Sequence, residues 1–199
     1  MVKFNPKQVK KNKPVRTVNT SASVPISERI RLNFNELVCT SLKNKLFDKH
    51  EAYFSDIEIH SNMHFIPEYK DMSADEVADK IALTITEGEY ILFIDDDRTP
   101  EPDPYTVQIC ARTNAAAIAV VDKYGIPGTI HFDYWLNMTG SELVTTFIKH
   151  LKEVVIKKNY TGFINYAIQS QHENGPRIIH KAMREIEDVI FQNSKGNSD

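Results

Sequence analysis

The sequence predicts an α/β fold in three layers, with helices on both faces of a mostly parallel β-sheet and an N-terminal extension of helix and strand. From residue 90 onward, four short apolar runs alternate with longer segments of helical periodicity, which is the pattern of βα units around a parallel sheet. The chain has 199 residues, of which 41% are hydrophobic and 26% charged, as in ordinary globular proteins. This length can bury a core without disulfide bonds, so we expect one main domain with an extension.

Residues 1 to 26 contain few large apolar side chains, and we expect them to form a flexible basic arm. The first 16 residues carry six basic side chains and no acidic one, whereas the whole chain has a formal charge of −3. A basic arm on an acidic body is typical of contact with nucleic acid or an acidic partner, although a solvated tail is the more common case. The candidate partner-binding residues are Lys10, Lys11, Lys13 and Arg16.

Residues 27 to 89 are expected to form the α/β extension. Its predicted elements are a helix over residues 27 to 47, a strand or hairpin edge over 52 to 66, and a helix from 73 to about 88. The last helix begins with a capping box, because Ser73 is followed three residues later by Glu76. The pattern leaves open whether this extension adds a strand to the sheet or forms a separate cap.

Residues 90 to 192 are expected to form the main domain. Strands are predicted over residues 90–94, 106–110, 129–133 and 163–168, and helices over 113–124, 141–157 and 176–192. Prolines at positions 100, 102 and 104 exclude a helix after the first of these strands, and Pro176 suits the first turn of the last helix. Residues 193 to 199 are expected to be a disordered tail.

The compartment is predicted from cysteine usage and hydropathy. The two cysteines, Cys39 and Cys110, lack metal or redox spacing, so we expect buried free thiols and a reducing environment. No apolar run approaches the roughly 18 to 20 residues that span a bilayer, and the basic N-terminus lacks the apolar region of a secretory signal. A cytoplasmic protein without membrane contact is therefore expected.

Acidic side chains follow two of the predicted strands at their carboxyl ends. Asp95 and Asp96 come after the first strand of the main domain, and Asp133 comes at the end of the third. Because ligands of open parallel sheets bind outside the carboxyl ends of the strands, these carboxylates would converge if the two strands are neighbours. Convergent carboxylates suit Mg²⁺, which prefers oxygen ligands and keeps water for a phosphate to displace. The simpler alternative is that the aspartates end a strand and cap a turn.

Polar residues around these aspartates suggest a phosphate-containing ligand. Arg98 could grip phosphate oxygens, and Ser170 with the backbone N–H groups before the last helix could add hydrogen bonds. Tyr134 and Trp135 follow Asp133 directly, and they would either stack on a base or fill the core.

The segments FIDDDRTPEP, IHFDYWLNMTG and IQSQHENG together resemble the cyclic-phosphate-processing receiver-like domain, a variant of the flavodoxin-like receiver fold of response regulators. That family is found around RNA-repair and phage-conflict systems. It has a DD-x-R motif after the first strand, an aspartate-histidine-aspartate-leucine motif after the third, and a His-Ser-x-Asn-x-x-Gly motif after the fourth. The resemblance covers about residues 90 to 192. It implies metal ligation by Asp95, Asp96 and Asp133, and ligand binding by Arg98, Gln169, Ser170 and Gly175.

The chain departs from these motifs where the family has residues that move protons. Tyr134 and Trp135 replace a histidine and an aspartate, and Gln169 replaces the other histidine. Glutamine and tryptophan do not act as general acids or bases near neutral pH, and tyrosine, with an ordinary pKa of about 10, is a poor replacement for histidine. His172 lies at the asparagine position, so His172 and Asp133 are the remaining catalytic candidates. Retained metal ligands without these histidines favour binding over turnover.

Two functions remain in competition. One is a non-enzymatic regulator of phage origin that binds a host protein or nucleic acid and keeps a Mg²⁺ and phosphate site. The other is a metal-dependent enzyme that processes cyclic or terminal phosphates of RNA or nucleotides. The sequence leaves the ligand, the partner and the oligomeric state open.

Overall fold

The computed structural model describes residues 26–61, 67–101, 103, 105–136 and 142–196. The basic arm with Lys10, Lys11, Lys13 and Arg16 lies outside these residues, so its predicted role is untested. The described elements are α1 (Ile26–Leu46), β1 (Ile57–His60), α2 (Ala74–Ala82), β2 (Ile91–Ile94), β3 (Gln108–Ala111), α3 (Asn114–Tyr124), β4 (Thr129–Phe132), α4 (Thr145–Lys157), β5 (Asn165–Ile168) and α5 (Gly175–Gly196). The predicted α/β fold with a mostly parallel sheet is confirmed.

The sheet has five strands in the order β1-β3-β2-β4-β5. Strand β2 pairs in parallel with both β3 and β4, and β5 pairs in parallel with β4. Strand β1 pairs antiparallel with β3, with Ile57 opposite Ala111. The extension therefore adds an edge strand to the sheet, which settles the alternative that the sequence left open. The switch in strand order lies between β2 and β4, where ligands of such sheets bind.

Local sequence signals set the starts of the helices. Ser73 caps α2 in the predicted box, because its Oγ accepts from the Glu76 N–H at 3.3 Å and its own N–H donates to Glu76 Oε2 at 2.8 Å. Thr113 caps α3 by accepting from the Ala116 N–H at 3.2 Å. Helix α2 ends at Ala82, several residues before the predicted end near residue 88.

One hydrophobic core joins the extension to the main domain. Helix α1 packs on α2 and on β1, and α4 packs on α3 and α5. Tyr90 is 1% exposed in the core that all these elements share, and its hydroxyl donates to the Gly125 carbonyl at 2.7 Å. Burying the phenol with its polar end satisfied is favourable. The extension is thus part of the framework that holds the sheet.

Three sequence-based boundaries are wrong. Residues 193 to 196 belong to α5 and not to a disordered tail, and Asn193 Nδ2 donates to the Tyr160 carbonyl at 3.0 Å. Helix α4 begins at Thr145, four residues later than predicted. Of the segment 52 to 66, only Ile57–His60 is a strand, and residues 62 to 66 lie outside the described residues. Among the helices that the structure describes, none has the length and apolarity to cross a bilayer. Both cysteines are free thiols, Cys110 buried and Cys39 half-buried.

Candidate functional site

The carboxyl ends of β2 and β4 bring the predicted aspartates together. Residues Ile94 and Phe132 are partners in the parallel ladder, so Asp95 and Asp133 leave the sheet side by side. The Asp133 N–H donates to the Ile94 carbonyl at 2.8 Å, which extends the pairing by one residue. Asp95, Asp96 and Asp133 each offer a carboxylate oxygen, and these oxygens lie within 4.8 Å of one another. The predicted convergence is confirmed, and metal binding stays a prediction.

Arg98 was expected to bind a phosphate, but its guanidinium is paired with groups of the protein itself. Its Nε donates to Asp95 Oδ2 at 2.7 Å, and its Nη2 pairs with Asp133 Oδ2 at 3.2 Å. Its Nη1 donates to the Gln169 carbonyl oxygen. The guanidinium therefore bridges the ends of β2, β4 and β5 and acts as the internal counter-ion of the aspartates. In this arrangement each of the three guanidinium nitrogens already has a partner in the protein.

Asp95 is the most buried of the three aspartates, with a side chain only 2% exposed. Its Oδ1 accepts from the backbone N–H groups of Asp97 at 3.1 Å and Arg98 at 2.7 Å. Two backbone donors and one guanidinium satisfy this buried carboxylate, as burial of a charge requires. These contacts also fold residues 95 to 98 into a tight turn, which presents Asp96 to the crevice.

The crevice around these residues has a volume of about 790 Å³ and is strongly acidic. Its described lining consists of Asp95, Asp96, Asp97, Arg98, Asp133, Trp135, Ser170, Gln171, His172 and Glu173. Five carboxylates thus face one guanidinium, an excess of four formal negative charges. Burial and, to a smaller degree, the neighbouring carboxylates raise the pKa of Asp96. The site therefore carries negative charge that Arg98 alone does not neutralise.

An ion pair that sequence reasoning missed braces the turn from the side of the extension. Arg112, directly after β3, donates from Nη1 to the carbonyl oxygens of Asp95 at 2.9 Å and Arg98 at 2.6 Å. Glu58 of β1 accepts from Arg112 Nη2 at 2.6 Å and from Nε at 3.2 Å. The hydrogen bond from Arg112 holds the pKa of Glu58 below its ordinary value. The sequence offered one sign of this pair, because Arg112 is a basic residue directly after an apolar strand.

His172 is fixed at the start of α5. Its Nδ1 accepts from the backbone N–H groups of Asn174 at 3.2 Å and Gly175 at 3.0 Å, so the proton of the neutral ring is on Nε2. The N–H groups that were expected to bind an anion are therefore occupied by this side chain. The Ser170 hydroxyl accepts from the His172 N–H at 3.2 Å, which shapes the same loop, and Ser170 and His172 both line the crevice.

Two of the predicted ligand-binding residues, Gly175 and Gln169, are not among the described residues that line the crevice. Both make contacts within the protein. A Cβ on Gly175 would lie 2.8 Å from Tyr134 Cβ, so this position needs glycine for close packing. The side-chain amide of Gln169 contacts His131 Nδ1 at 3.1 Å, while its backbone carbonyl holds Arg98. Both residues support the site from behind, and their direct contact with a ligand finds no support in this arrangement.

The two aromatic residues that follow Asp133 differ in their surroundings. Tyr134 is buried, with 7% of its surface exposed, and packs on His172 with ring centroids 4.9 Å apart. Trp135 is 44% exposed, lines the crevice and contacts His172, with the two ring centroids 4.6 Å apart. Of the two sequence alternatives, core packing applies to Tyr134, whereas Trp135 keeps a surface for contact.

The donor set fits a hard divalent cation. Three aspartate oxygens within 4.8 Å of one another match the oxygen ligands of Mg²⁺, which usually binds through a few carboxylates together with water and phosphate. The excess of negative charge in the crevice gives the physical reason, since a cation would relieve the repulsion among the carboxylates. Asp95, Asp96 and Asp133 would hold the ion.

One of three comparisons with known proteins, the one with family models, gave a match. Residues 90–185 match the family model of the cyclic-phosphate processing receiver domain. Neither a comparison with curated proteins nor one with solved structures gave a match. The matched segment contains β2 to β5, the acidic strand ends and the first half of α5, and the strand order around the switch is that of a receiver. Residues 90–185 therefore form a receiver domain of the cyclic-phosphate processing family.

Proposed function

We propose that this receiver domain binds a phosphate-containing ligand through a divalent cation and acts as a binding and regulatory module. The observation that carries the proposal is the charge of the crevice, where five carboxylates surround one guanidinium that is already paired. A phosphate would be repelled from such a site. A cation held by the aspartates reverses the local charge, so cation binding has to come before phosphate binding.

Each residue has a defined task in this proposal. Bound Mg²⁺ would supply positive charge and coordination positions for phosphate oxygens. Asp95, Asp96 and Asp133 offer it carboxylates, and Arg98 then has donors available for a phosphate because the cation competes for Asp95 and Asp133. The Ser170 hydroxyl lines the crevice and can donate a hydrogen bond to a bound oxygen.

The geometry favours binding over turnover. General acid–base catalysis needs a side chain that can exchange a proton at the reacting atom. Gln169 cannot do so, Tyr134 is buried against α5, and Nδ1 of His172 accepts two backbone hydrogen bonds.

Metal-dependent phosphoester processing is the second candidate, and one observation favours it. His172 lines the crevice, and its Nε2 carries the proton of the neutral ring. Incubation of a 2′,3′-cyclic nucleotide with the protein and Mg²⁺, followed by phosphorus NMR, tests this candidate. Hydrolysis that is lost in His172→Gln would establish an enzyme, and an unchanged spectrum leaves the binding module.

Calorimetric titration tests the main proposal. We expect the protein to bind Mg²⁺ at millimolar concentration or below, and methyl phosphate to bind only when Mg²⁺ is present. Asp96→Asn should abolish both signals. Asp71→Asn, which removes the same charge from an exposed carboxylate outside the crevice, should keep them. Absence of Mg²⁺ binding to the wild-type protein at millimolar concentration would refute the proposal.

For the macromolecular partner, we propose that the basic N-terminal arm contacts nucleic acid or an acidic host protein. Its support is the cluster of basic residues in the first 16 positions beside an otherwise acidic chain. Phosphate contacts made by lysine and arginine weaken steeply as salt concentration rises. Deletion of residues 1 to 25 should therefore abolish a salt-sensitive interaction with RNA in a filter-binding assay. Binding that is absent, or insensitive to salt, would contradict this role.

A further inference from the structure

Trp135 combines three properties that a packing role does not explain. It is the only tryptophan of the sequence, it is 44% exposed, and it lines the acidic crevice. An exposed indole beside carboxylates leaves a large apolar surface in water, which is unfavourable. The resembling motif has an aspartate at this position, so the indole is a property of this chain and not of the motif.

The indole is held in place from two sides. Its backbone forms an antiparallel bridge with Leu143, flanked by hydrogen bonds from Leu136 N–H to the Glu142 carbonyl at 2.9 Å and from Val144 N–H to the Tyr134 carbonyl at 3.1 Å. The ring is supported by His172, which is itself fixed through its Nδ1 to the start of α5. A rigid, supported aromatic face loses little entropy when a ligand stacks on it.

We propose that Trp135 stacks on the base of a nucleotide whose phosphate is bound at the aspartates of the same crevice. This inference rests on the proposed metal-dependent phosphate site and specifies its ligand class as a nucleoside phosphate. A volume of about 790 Å³ is far larger than a phosphate ion needs and falls within the ordinary range for small-molecule sites. A phosphate alone would leave the indole uncovered, whereas a nucleotide adds a base that can cover it in the same crevice.

The chemistry around the indole selects a base over an apolar side chain of a protein partner. Ser170, Gln171 and Glu173 share the lining with Trp135, so the neighbours offer hydrogen-bonding groups. A nucleobase has a flat π-face for the indole and polar edges for such neighbours. An aliphatic side chain would gain the first contact and would lie beside carboxylates without partners. The arrangement therefore fits an aromatic heterocycle joined to a phosphate.

Fluorescence provides a direct test, because the emission of the protein's single tryptophan reports on this residue alone. In Mg²⁺, we expect AMP to quench the emission and ribose 5-phosphate, which has the same phosphate without the base, to leave it nearly unchanged. Calorimetry should show AMP binding roughly tenfold tighter than ribose 5-phosphate, the advantage that base–aromatic stacking usually gives.

Variants separate stacking from general effects on the fold. Trp135→Ala should lower AMP affinity about tenfold and leave ribose 5-phosphate affinity unchanged, and Trp135→Phe should restore most of the loss. Phe163→Ala removes another exposed ring (73% exposed), which precedes the amino end of β5, whereas the crevice lies at the carboxyl ends of the strands. This control should bind AMP as the wild type does.

The outcomes distinguish this inference from the function on which it rests. Equal affinity for AMP and ribose 5-phosphate in Mg²⁺ would overturn the stacking role and leave the metal-dependent phosphate site intact. If neither compound binds in Mg²⁺, the phosphate site fails and this inference fails with it. If adenosine quenches the emission and AMP binds without Mg²⁺, the base site stands and the metal proposal is wrong.

Discussion

Replacement of Arg98 by methionine gives the sharpest test of the charge balance in the crevice. The guanidinium pairs with Asp95, whose side chain is 2% exposed, and with Asp133, 18% exposed. Methionine keeps most of the side-chain length and removes the charge and all its donors. Without a cation, the variant therefore leaves two carboxylates close together with no counter-ion between them.

The expected loss of stability follows from the burial of these groups. Removal of one partner from a fully buried ion pair costs about 3 to 5 kcal/mol. Arg98 is 37% exposed, and Asp95 keeps two backbone donors, so solvent screening and these hydrogen bonds reduce the cost. We expect about 2 kcal/mol, which lowers the Tm of a chain of this size by roughly 4 to 8 °C.

Added Mg²⁺ should reverse this loss. If a cation binds at the aspartates as proposed, Arg98 competes with it for Asp95 and Asp133, so the methionine variant should bind Mg²⁺ about tenfold more tightly than the wild type. Mg²⁺ at ten times its Kd stabilises the folded state by about 1.4 kcal/mol. The Tm difference between variant and wild type should therefore narrow as Mg²⁺ is added.

The assay is thermal unfolding followed by circular dichroism, with and without Mg²⁺, together with calorimetric titration of the ion. Arg177→Met is the matched control, because it removes the same charge from an exposed position of α5. This control should change neither the Tm nor Mg²⁺ affinity appreciably. If the Arg98 variant binds Mg²⁺ no more tightly than the wild type, Arg98 does not compete with a cation and the reasoning is refuted.

Three further variants test the surroundings of the crevice. Glu58→Gln should cost about 1 kcal/mol at neutral pH, because Arg112 loses a charged partner that is itself 44% exposed. Because Arg112 depresses the pKa of Glu58, the ion pair contributes its full stability above the ordinary carboxyl pKa of about 4.3, and this stability is lost as pH falls through the folded-state pKa. The unfolding free energies of wild type and variant in urea should therefore become equal at low pH, and a difference that stays constant with pH would contradict the ion pair. Gly175→Ala places a Cβ 2.8 Å from Tyr134 Cβ and should destabilise by about 1 to 3 kcal/mol in urea unfolding, whereas Gly196→Ala, with no described atom within 4 Å of the added Cβ, should not. Asp96→Asn should raise stability without Mg²⁺ by about 0.5 kcal/mol, since it removes a charge that burial and, to a smaller degree, the neighbouring carboxylates disfavour, and lower stability there would show that the carboxylate has a favourable partner.

The acidic end of the site could be predicted from the sequence because it depends on short-range rules. A polar residue that directly follows an apolar strand lies just beyond the end of the sheet, and parallel strands have their carboxyl ends on the same side. Asp95 and Asp133 needed only the additional condition that β2 and β4 are neighbours, which the structure confirms. The capping box at Ser73 was predictable for the same reason, since it depends on residues three positions apart.

The remaining features depend on contacts between distant segments. The Glu58–Arg112 pair requires β1 to lie antiparallel at the edge beside β3, and a single short alternating segment does not specify its partner strand. The engagement of Arg98 by the Gln169 carbonyl requires the end of β5 to lie beside that of β4. A sequence shows an arginine beside aspartates, but only the fold shows whether its donors are free for a ligand.

Arg98 contacts both the aspartates and the start of the loop that carries His172. Its Nη1 donates to the carbonyl of Gln169, three residues before His172, and His172 supports the ring of Trp135. A cation that takes Asp95 and Asp133 removes two of the partners of Arg98 and leaves that carbonyl. The guanidinium would then stay bound to the Gln169 carbonyl, at the start of the loop that carries His172. If a nucleotide binds as we propose, the donors that Arg98 loses from these aspartates would be available to its phosphate, and the metal, the arginine and the indole would act on one ligand.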